Sequence, residues 1–229
     1  MTSPFSPEPS PVEARAAQAL RLRRAGVREI AVMRAIERAP RELFAPHRFR
    51  DLAGRNMALP IGCGQTMPAP ADLGRRLEVL GVLPEHRVLE IGAGSGYGAA
   101  VLAQLCREVV SLERCQSLAM EAASRLAEQS LDHARVIFAD GLAPPQELGR
   151  FERIIMHVSV DAPPAALLEL LAPGGVMVFG RFAAALPGAR RREARLIRQE
   201  RAATGSTFAE VDRGSCRLSA AIPGKARQL

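Results

Sequence analysis

The chain has 229 residues, of which 48% are hydrophobic, so it can form one large domain with a substantial core. No segment approaches about 18 uninterrupted apolar residues, which excludes a membrane-spanning helix, and the start MTSPFSPEPSPVEA lacks the basic and apolar regions of a signal peptide. The four cysteines suggest neither a zinc knuckle nor a redox pair, because no two are separated by two residues. We therefore expect reduced thiols in a cytoplasmic protein.

The net charge of +7 is concentrated in the C-terminal part of the chain. Residues 181–229 contain 11 Arg or Lys and 4 Asp or Glu, which accounts for the whole excess. The densest part consists of Arg190, Arg191, Arg192, Arg195 and Arg198. Such a cluster indicates either a nucleic-acid patch or a solvated surface. The sequence favours the surface, because the region has no Tyr or Trp to stack on bases.

The N-terminal part predicts a leader followed by two helices. Residues 1–11 are rich in Pro and Ser, which is typical of a disordered segment. The two helical patterns are separated at Gly26, and Pro40 ends the second. The second helix has apolar residues every three positions, at Ile30, Met33 and Ile36.

An irregular segment after Pro40 leads into IGCGQTMPAP, a Gly- and Pro-rich stretch from Ile61 to Pro70 that predicts a loop. The next segment predicts a helix with Leu73, Leu77 and Leu80 on one face. We assign residues 12–84 to a helical cap that carries this loop.

The pattern changes at residue 85, where short apolar strands begin to alternate with helices. The predicted strands are RVLEIG, EVVSLE, ARVIFAD, FERIIMHVSV and GGVMVFGRF. Apolar runs without alternation indicate a parallel sheet covered on both faces, and two further strands around TGST predict an antiparallel hairpin at its edge. The predicted fold is α/β, a Rossmann-like, doubly wound and mostly parallel sheet. Residues 85–229 form this domain. It makes one compact unit with the cap, which is its N-terminal helical extension.

A glycine-rich turn follows the first of these strands, in VLEIGAGSGYG. In an open parallel sheet, ligands bind beyond the carboxyl ends of the strands, and alternating glycines let the backbone approach them. The dinucleotide fingerprint would need glycine at position 97, where this chain has Tyr97. The spacing is instead E-x-G-x-G-x-G. This spacing suits a turn that binds a ligand, and the alternative interpretation is a tight turn that binds none.

Two acids at the ends of the next strands favour a ligand. Glu113 ends VVSLE, where a carboxylate can accept both hydroxyls of a ribose, and Asp140 ends VIFAD, where it can accept from an adenine amino group. Glu90 can hold the glycine turn or face a ligand ammonium. Together these positions predict an adenosine pocket, and no metal site is predicted. The predicted binding residues are Glu90, Gly92, Ala93, Gly94, Ser95, Gly96, Glu113, Arg114, Asp140 and Gly141.

Four segments, PRELFAP, LPIGCGQT, VLEIGAGSGYGAAVLAQL and LLELLAPGGVMV, resemble the protein-L-isoaspartate O-methyltransferases. The similarity runs from about residue 12 to the C-terminal hairpin. It implies a class I fold that binds S-adenosyl-L-methionine and releases S-adenosyl-L-homocysteine. The glycine turn would then face the methionine part, Glu113 the ribose and Asp140 the adenine. The segment LPIGCGQT would fold over the cofactor and bring Gln65 and Thr66 to the acceptor, as candidate catalytic residues.

The acceptor side departs from the family pattern. Pro68 stands where the family has a serine, and the fourth strand ends in the bulky segment His157–Val160 where the family has small residues. The fifth strand runs through Gly180 rather than through a proline and a glycine. His157 is a third catalytic candidate, either a general base for a less acidic acceptor or a packed, hydrogen-bonded side chain.

The resemblance implies methylation of the carboxylate of L-isoaspartyl residues in damaged proteins or peptides, which is a repair reaction. The alternatives are a methyltransferase for another acceptor and a catalytically silent protein that binds S-adenosylmethionine. We expect a monomer without membrane or nucleic-acid partners.

Overall fold

The computed structural model describes residues 10–183 and 192–227. The helices are α1 (Pro11–Arg24), α2 (Ile30–Arg38), α3 (Pro70–Leu80), α4 (Tyr97–Ala103), α5 (Gln116–Glu128) and α6 (Ala165–Leu170). The strands are β1 (Leu59–Pro60), β2 (Thr66–Met67), β3 (Arg87–Ile91), β4 (Glu108–Glu113), β5 (Ala134–Phe138), β6 (Phe151–Val160), β7 (Leu171–Phe182), β8 (Ala194–Arg201), β9 (Phe208–Cys216) and β10 (Ser219–Ala220). None of the helices in these two ranges has the length and apolar content to cross a membrane.

The central sheet has the order β5-β4-β3-β6-β7-β8-β9, and β10 pairs with β6. Strands β3, β4, β5, β6 and β7 run parallel, whereas β8 runs antiparallel to both β7 and β9. The predicted α/β sheet with a C-terminal hairpin is therefore confirmed. The successive residues Val88 and Leu89 are both fully buried but belong to different apolar clusters. Because successive side chains of a strand point to opposite faces, both faces of the sheet are covered.

The first helix begins at Pro11, one residue before the predicted cap. Ser10 accepts a hydrogen bond from the backbone N–H of Glu13, whose side chain accepts from the N–H of Ser10. This reciprocal arrangement is a capping box, and proline suits the first helical position. Residues 1–9 of the predicted leader lie outside the described residues.

The helix faces are confirmed with one exception. Leu73, Leu77 and Leu80 of α3 are fully buried. In α2 the predicted face is buried at Met33 and Ile36, whereas Ile30, the first helical residue, is 56% exposed. The buried part of α2 begins at Val32.

A small hairpin, which we call the flap (residues 59–67), overlaps the predicted loop from Ile61 to Pro70. Strands β1 and β2 pair antiparallel, and the N–H of Gln65 donates to the carbonyl of Gly62 at 3.1 Å. The two turn residues, Cys63 and Gly64, have φ angles of 56° and 63°. Two consecutive positive φ angles are typical of a type I′ turn, whose twist suits a two-residue hairpin.

Arg41 fixes the end of the flap to the segment that precedes it. The guanidinium is 4% exposed, and it donates to the carbonyls of Ala53, Arg55, Met57 and Pro68 at 2.7–3.2 Å. Its carbon also lies 5.7 Å from the centre of the Tyr97 ring, within the range of a cation–π contact. Burial lowers the pKa of Arg41. One side chain therefore satisfies four carbonyls that have no regular partner.

Replacing Arg41 with Met is expected to lower the free energy of unfolding by about 2–4 kcal/mol, because several buried carbonyls lose a charged donor. Urea denaturation would measure the change. The matched control is Arg50→Met, at an exposed arginine nearby. Equal stability of the two variants would show that Arg41 does not hold the flap.

Candidate functional site

A cavity lies at the carboxyl ends of β3, β4, β5 and β6, beneath the flap. Its walls come from the flap, the glycine turn, the strand ends and the C-terminal segment (residues 219–226). The lining residues are Ile61, Gln65, Thr66, Ile91, Gly92, Gly94, Leu112, Glu113, Arg114, Asp140, Gly141, Leu142, His157, Val158, Ala220, Ala221 and Ile222. The cavity thus occupies the edge of the sheet where ligands of open parallel sheets bind.

The glycine turn needs glycine for both conformation and space. Gly92, Gly94 and Gly96 have φ angles of 91°, 55° and 88°, in the left-handed region that other residues rarely adopt. A Cβ on Gly94 would lie 3.2 Å from the side chain of Ile61 in the flap. The turn therefore presents bare backbone to the cavity, and the flap packs directly against it.

Glu113 connects the glycine turn to the strand beside it. One carboxylate oxygen accepts from the N–H of Gly94 at 2.9 Å and the other from the N–H of Cys115 at 2.8 Å. The side chain is 5% exposed and lines the cavity. A carboxylate has about four lone-pair sites, so two of them stay available for ligand donors.

Asp140 is held between its own turn and the C-terminal segment. It accepts from the N–H of Leu142 at 2.9 Å and from the N–H of Gly224 at 2.6 Å. The carbonyl of Gly224 in turn accepts from Arg114 at 2.9 Å. Like Glu113, Asp140 has two remaining lone-pair sites at the cavity.

The C-terminal segment closes this side of the cavity, which the sequence analysis did not predict. Strand β10 pairs parallel with the end of β6, and the N–H of Ala221 donates to the carbonyl of Ser159 at 2.9 Å. Further along, the N–H of Ala226 donates to the carbonyl of Arg114 at 2.8 Å. The segment contributes Ala220, Ala221 and Ile222 to the lining, and no sequence periodicity signals these contacts.

Glu90 does not line the cavity. Its side chain is 0% exposed, and it accepts from the hydroxyl of Ser111 at 2.5 Å and from His157 at 2.8 Å. A Cβ on Gly98 would lie 2.2 Å from Glu90, so only glycine fits there. The structure places Glu90 behind the cavity wall, and it does not hold the glycine turn directly.

His157 lines the cavity but has both ring nitrogens engaged. Arg76, which is 4% exposed, donates from Nη1 to His157 Nδ1 at 2.6 Å, because a guanidinium can only donate. Nε2 therefore carries the hydrogen and donates it to Glu90. Burial lowers the pKa of Arg76 to about 10, which leaves it charged at neutral pH. This arrangement favours the packed, hydrogen-bonded interpretation of His157 over the general base.

The stability of the fold is expected to fall in acid because of this imidazole. Burial, and then the charge of Arg76, lower the pKa of His157 from 6.5. The unfolded chain therefore binds more protons below about pH 6.5, so stability is complete above that pH and is lost as the pH falls toward the folded pKa. In His157→Gln, an amide replaces the ring, and the free energy of unfolding should depend less on pH.

Urea titrations between about pH 7.5 and about pH 5 would measure this dependence. Burial also lowers the pKa of His86, so the variant should retain part of the slope. Identical slopes in the variant and the unmodified chain would contradict the expected role of His157.

Of the remaining predicted binding residues, some line the cavity and others lie behind its wall. Gly92, Gly94, Glu113, Arg114, Asp140 and Gly141 line the cavity. Ala93, Ser95 and Gly96 are absent from the lining. Ser95 is 3% exposed, and its carbonyl accepts from Arg125 at 3.2 Å, while a Cβ on Gly96 would lie 3.1 Å from Ala122. Ser95 and Gly96 therefore attach the glycine turn to α5.

Of the flap residues considered for the acceptor site, some line the cavity and one does not. Gln65 and Thr66 line the cavity from the flap. Pro68, at the serine position of the family pattern, is absent from the lining, and its carbonyl accepts from Arg41 at 3.0 Å. Position 68 therefore contributes a backbone anchor for the flap.

The Arg-rich region forms ion pairs within the chain. The partners are Arg181 with Glu210, Arg192 with Asp161, Arg195 with Asp212 and Arg198 with Glu200, at 2.5–2.8 Å. Arg190 and Arg191 lie outside the described residues. Pairing with acids favours the solvated-surface interpretation.

Among residues 10–183 and 192–227, no group of three or more His, Cys, Asp or Glu side chains could hold a metal ion.

Most of the chain matches a known protein family. Residues 15–207 match the family model described as Protein-L-isoaspartate(D-aspartate) O-methyltransferase. The chain belongs to this family. A Rhodopseudomonas palustris (strain HaA2) relative named Protein-L-isoaspartate O-methyltransferase 2 is 42% identical over 210 residues, covering 92% of this chain and 93% of the relative. A Rhodospirillum centenum relative is 44% identical over 185 residues, covering 80% and 81%.

Solved methyltransferase structures share the fold. A protein-L-isoaspartate O-methyltransferase superposes with a TM-score of 0.77 at 22% identity, covering 90% of this chain and 65% of that one. A putative family member from Plasmodium falciparum, in complex with S-adenosyl-L-homocysteine, gives 0.71 at 18% identity and covers 90% and 97%. The family uses S-adenosylmethionine, and the bare glycine backbone and two carboxylates with open lone pairs fit that group.

Proposed function

We propose that this protein is an S-adenosylmethionine-dependent O-methyltransferase that methylates the carboxylate of L-isoaspartyl residues in damaged proteins. The observation that carries the proposal is one cavity shared by the family's two characteristic segments. The flap contributes Gln65 and Thr66, and the strand ends contribute Glu113 and Asp140. The family match over residues 15–207 supports the substrate class.

The binding side of the cavity divides into three regions. The backbone of Gly92 and Gly94 would face the methionine part of the cofactor, Glu113 would accept from the ribose hydroxyls, and Asp140 would accept from the adenine amino group. Arg114 orients the C-terminal segment beside Asp140 through its bond to Gly224. When bound, S-adenosylmethionine supplies an electrophilic methyl group that a carboxylate oxygen accepts to form a methyl ester.

The acceptor side suits a carboxylate because His157, Gln65 and Thr66, the candidate acceptor residues that the structure describes there, include no free base. A carboxyl with a pKa of about 4 is already ionised at neutral pH, so it needs alignment and removal of water rather than proton transfer. His157 has both nitrogens engaged, and Gln65 and Thr66 carry no basic group. The flap can supply alignment by covering the cavity, with Ile61 packed near Gly94.

Methyl transfer to an isoaspartyl peptide is the direct test. With methyl-labelled S-adenosylmethionine, label should enter the isoaspartyl peptide and be released in mild base, because the product is an ester. The matched control is the same peptide with a normal aspartyl residue, which should stay unlabelled. Binding of S-adenosylhomocysteine without label on either peptide would instead favour a changed acceptor or a silent protein.

Asp140→Ala should weaken S-adenosylhomocysteine binding by about tenfold, because it removes one hydrogen bond to a charged group. Isothermal titration calorimetry would measure the dissociation constant. The matched control is Asp132→Ala, at an exposed position outside the cavity. Unchanged affinity in the Asp140 variant would remove Asp140 from the proposed adenine site.

Two further expectations belong to the same proposal. The protein would act as a monomer, which sedimentation at several concentrations would test. It would act in the cytoplasm, which fractionation of cells would test.

A further inference from the structure

The flap tip rests on the first turn of α5, at the opposite wall of the cavity. A Cβ on Gly62 would lie 3.4 Å from the side chain of Leu118. The Cys63 sulfur lies 3.5 Å from the hydroxyl of Ser117. Cys115 is the N-cap of the same helix, so the tip contacts α5 two and three residues after Cys115.

These contacts bring two cysteines together that lie 52 positions apart in the chain. The Cys63 sulfur contacts Ser117, two residues after Cys115. Burial, and then the neighbouring Cys63 thiol, raise the pKa of Cys115 to about 11. Cys63 is partly exposed, whereas Cys115 is fully buried. An oxidant in solution therefore reaches Cys63 first, and Cys115 is placed to react with it next.

We propose that Cys63 and Cys115 form a reversible disulfide that fastens the flap closed over the cavity. With a peroxide as oxidant, the Cys63 thiolate attacks one oxygen and breaks the O–O bond, which gives a sulfenic acid and hydroxide. The Cys115 thiolate then attacks the Cys63 sulfur and displaces the hydroxyl as a second hydroxide. The two thiol protons neutralise these hydroxides, so each hydrogen peroxide yields one disulfide and two waters.

The two cysteines lie next to opposite walls of the cavity. Cys63 precedes Gln65 and Thr66 of the flap wall, and Cys115 follows Glu113 and Arg114 of the opposite wall. A bond between them would join both walls covalently, and a flap held this way cannot open to exchange cofactor. Oxidised protein should bind and release S-adenosylhomocysteine slowly.

The other two cysteines provide controls. Cys106 is buried, and its thiol donates to the carbonyl of Leu102 at 3.2 Å. Burial raises its pKa to about 12, and Cys106 precedes β4 whereas Cys115 follows that strand, so the flap does not bring Cys63 to it and it should resist oxidation. Cys216 is partly exposed and ends β9. Cys216→Ser is therefore the matched control for Cys63→Ser, because both remove one accessible thiol.

The experiment treats the full-length protein with hydrogen peroxide and measures products and cofactor exchange. Trypsin should release residues 56–75 joined to residues 115–125, a pair that dithiothreitol separates. Oxidation should slow S-adenosylhomocysteine association at least about tenfold in stopped-flow measurements, with recovery after dithiothreitol. Cys63→Ser should form no cross-link and keep its rate, while Cys216→Ser should behave like the unmodified protein.

Three results would overturn the proposal. They are oxidation without this cross-link, a cross-link that leaves association unchanged, and slowing that persists in Cys63→Ser. The inference uses the proposed cofactor but not the proposed acceptor. Because neither measurement includes an isoaspartyl substrate, a failure of the acceptor assignment would appear separately, in the peptide methylation assay.

Discussion

A buried carboxylate at the centre of the sheet constrains the residues around it. Removing the charge of Glu90 from water would cost several kcal/mol unless it is paired and hydrogen-bonded. Ser111 and His157 supply the two hydrogen bonds, and Arg76 supplies the positive charge through His157. Gly98 must then lack a side chain, because a Cβ would collide with the carboxylate. The start of α4, the end of β6 and the middle of α3 are therefore mutually fixed.

The cavity has this support on one side, and on the other it has walls that are held by fewer contacts. The strand ends and glycine turn are set by the sheet, whereas the flap and the C-terminal segment are attached by single side chains and a few backbone bonds. Arg41 holds the flap, and Asp140 holds the C-terminal segment at Gly224. Walls held by fewer contacts open at a lower free-energy cost, which suits a site that must admit and release ligands.

The sequence predicted the parts of the fold that depend on local pattern. Apolar runs gave the parallel strands, and the acids after β4 and β5 led to Glu113 and Asp140, which the structure brings to one cavity. It could not predict contacts that depend on tertiary approach. Arg76 lies in an ordinary helical pattern, and only the packing of α3 against β6 brings it to His157. The contact of Cys63 with Ser117 likewise needs the flap to reach α5.

The C-terminal segment has a practical consequence for handling the protein. Backbone groups of Gly224 and Ala226 bond to Asp140 and Arg114 at the wall of the cavity. An affinity tag or reporter fused soon after Ala226 would therefore adjoin that wall. A tag placed before the capped start of α1 would instead adjoin an element that does not line the cavity.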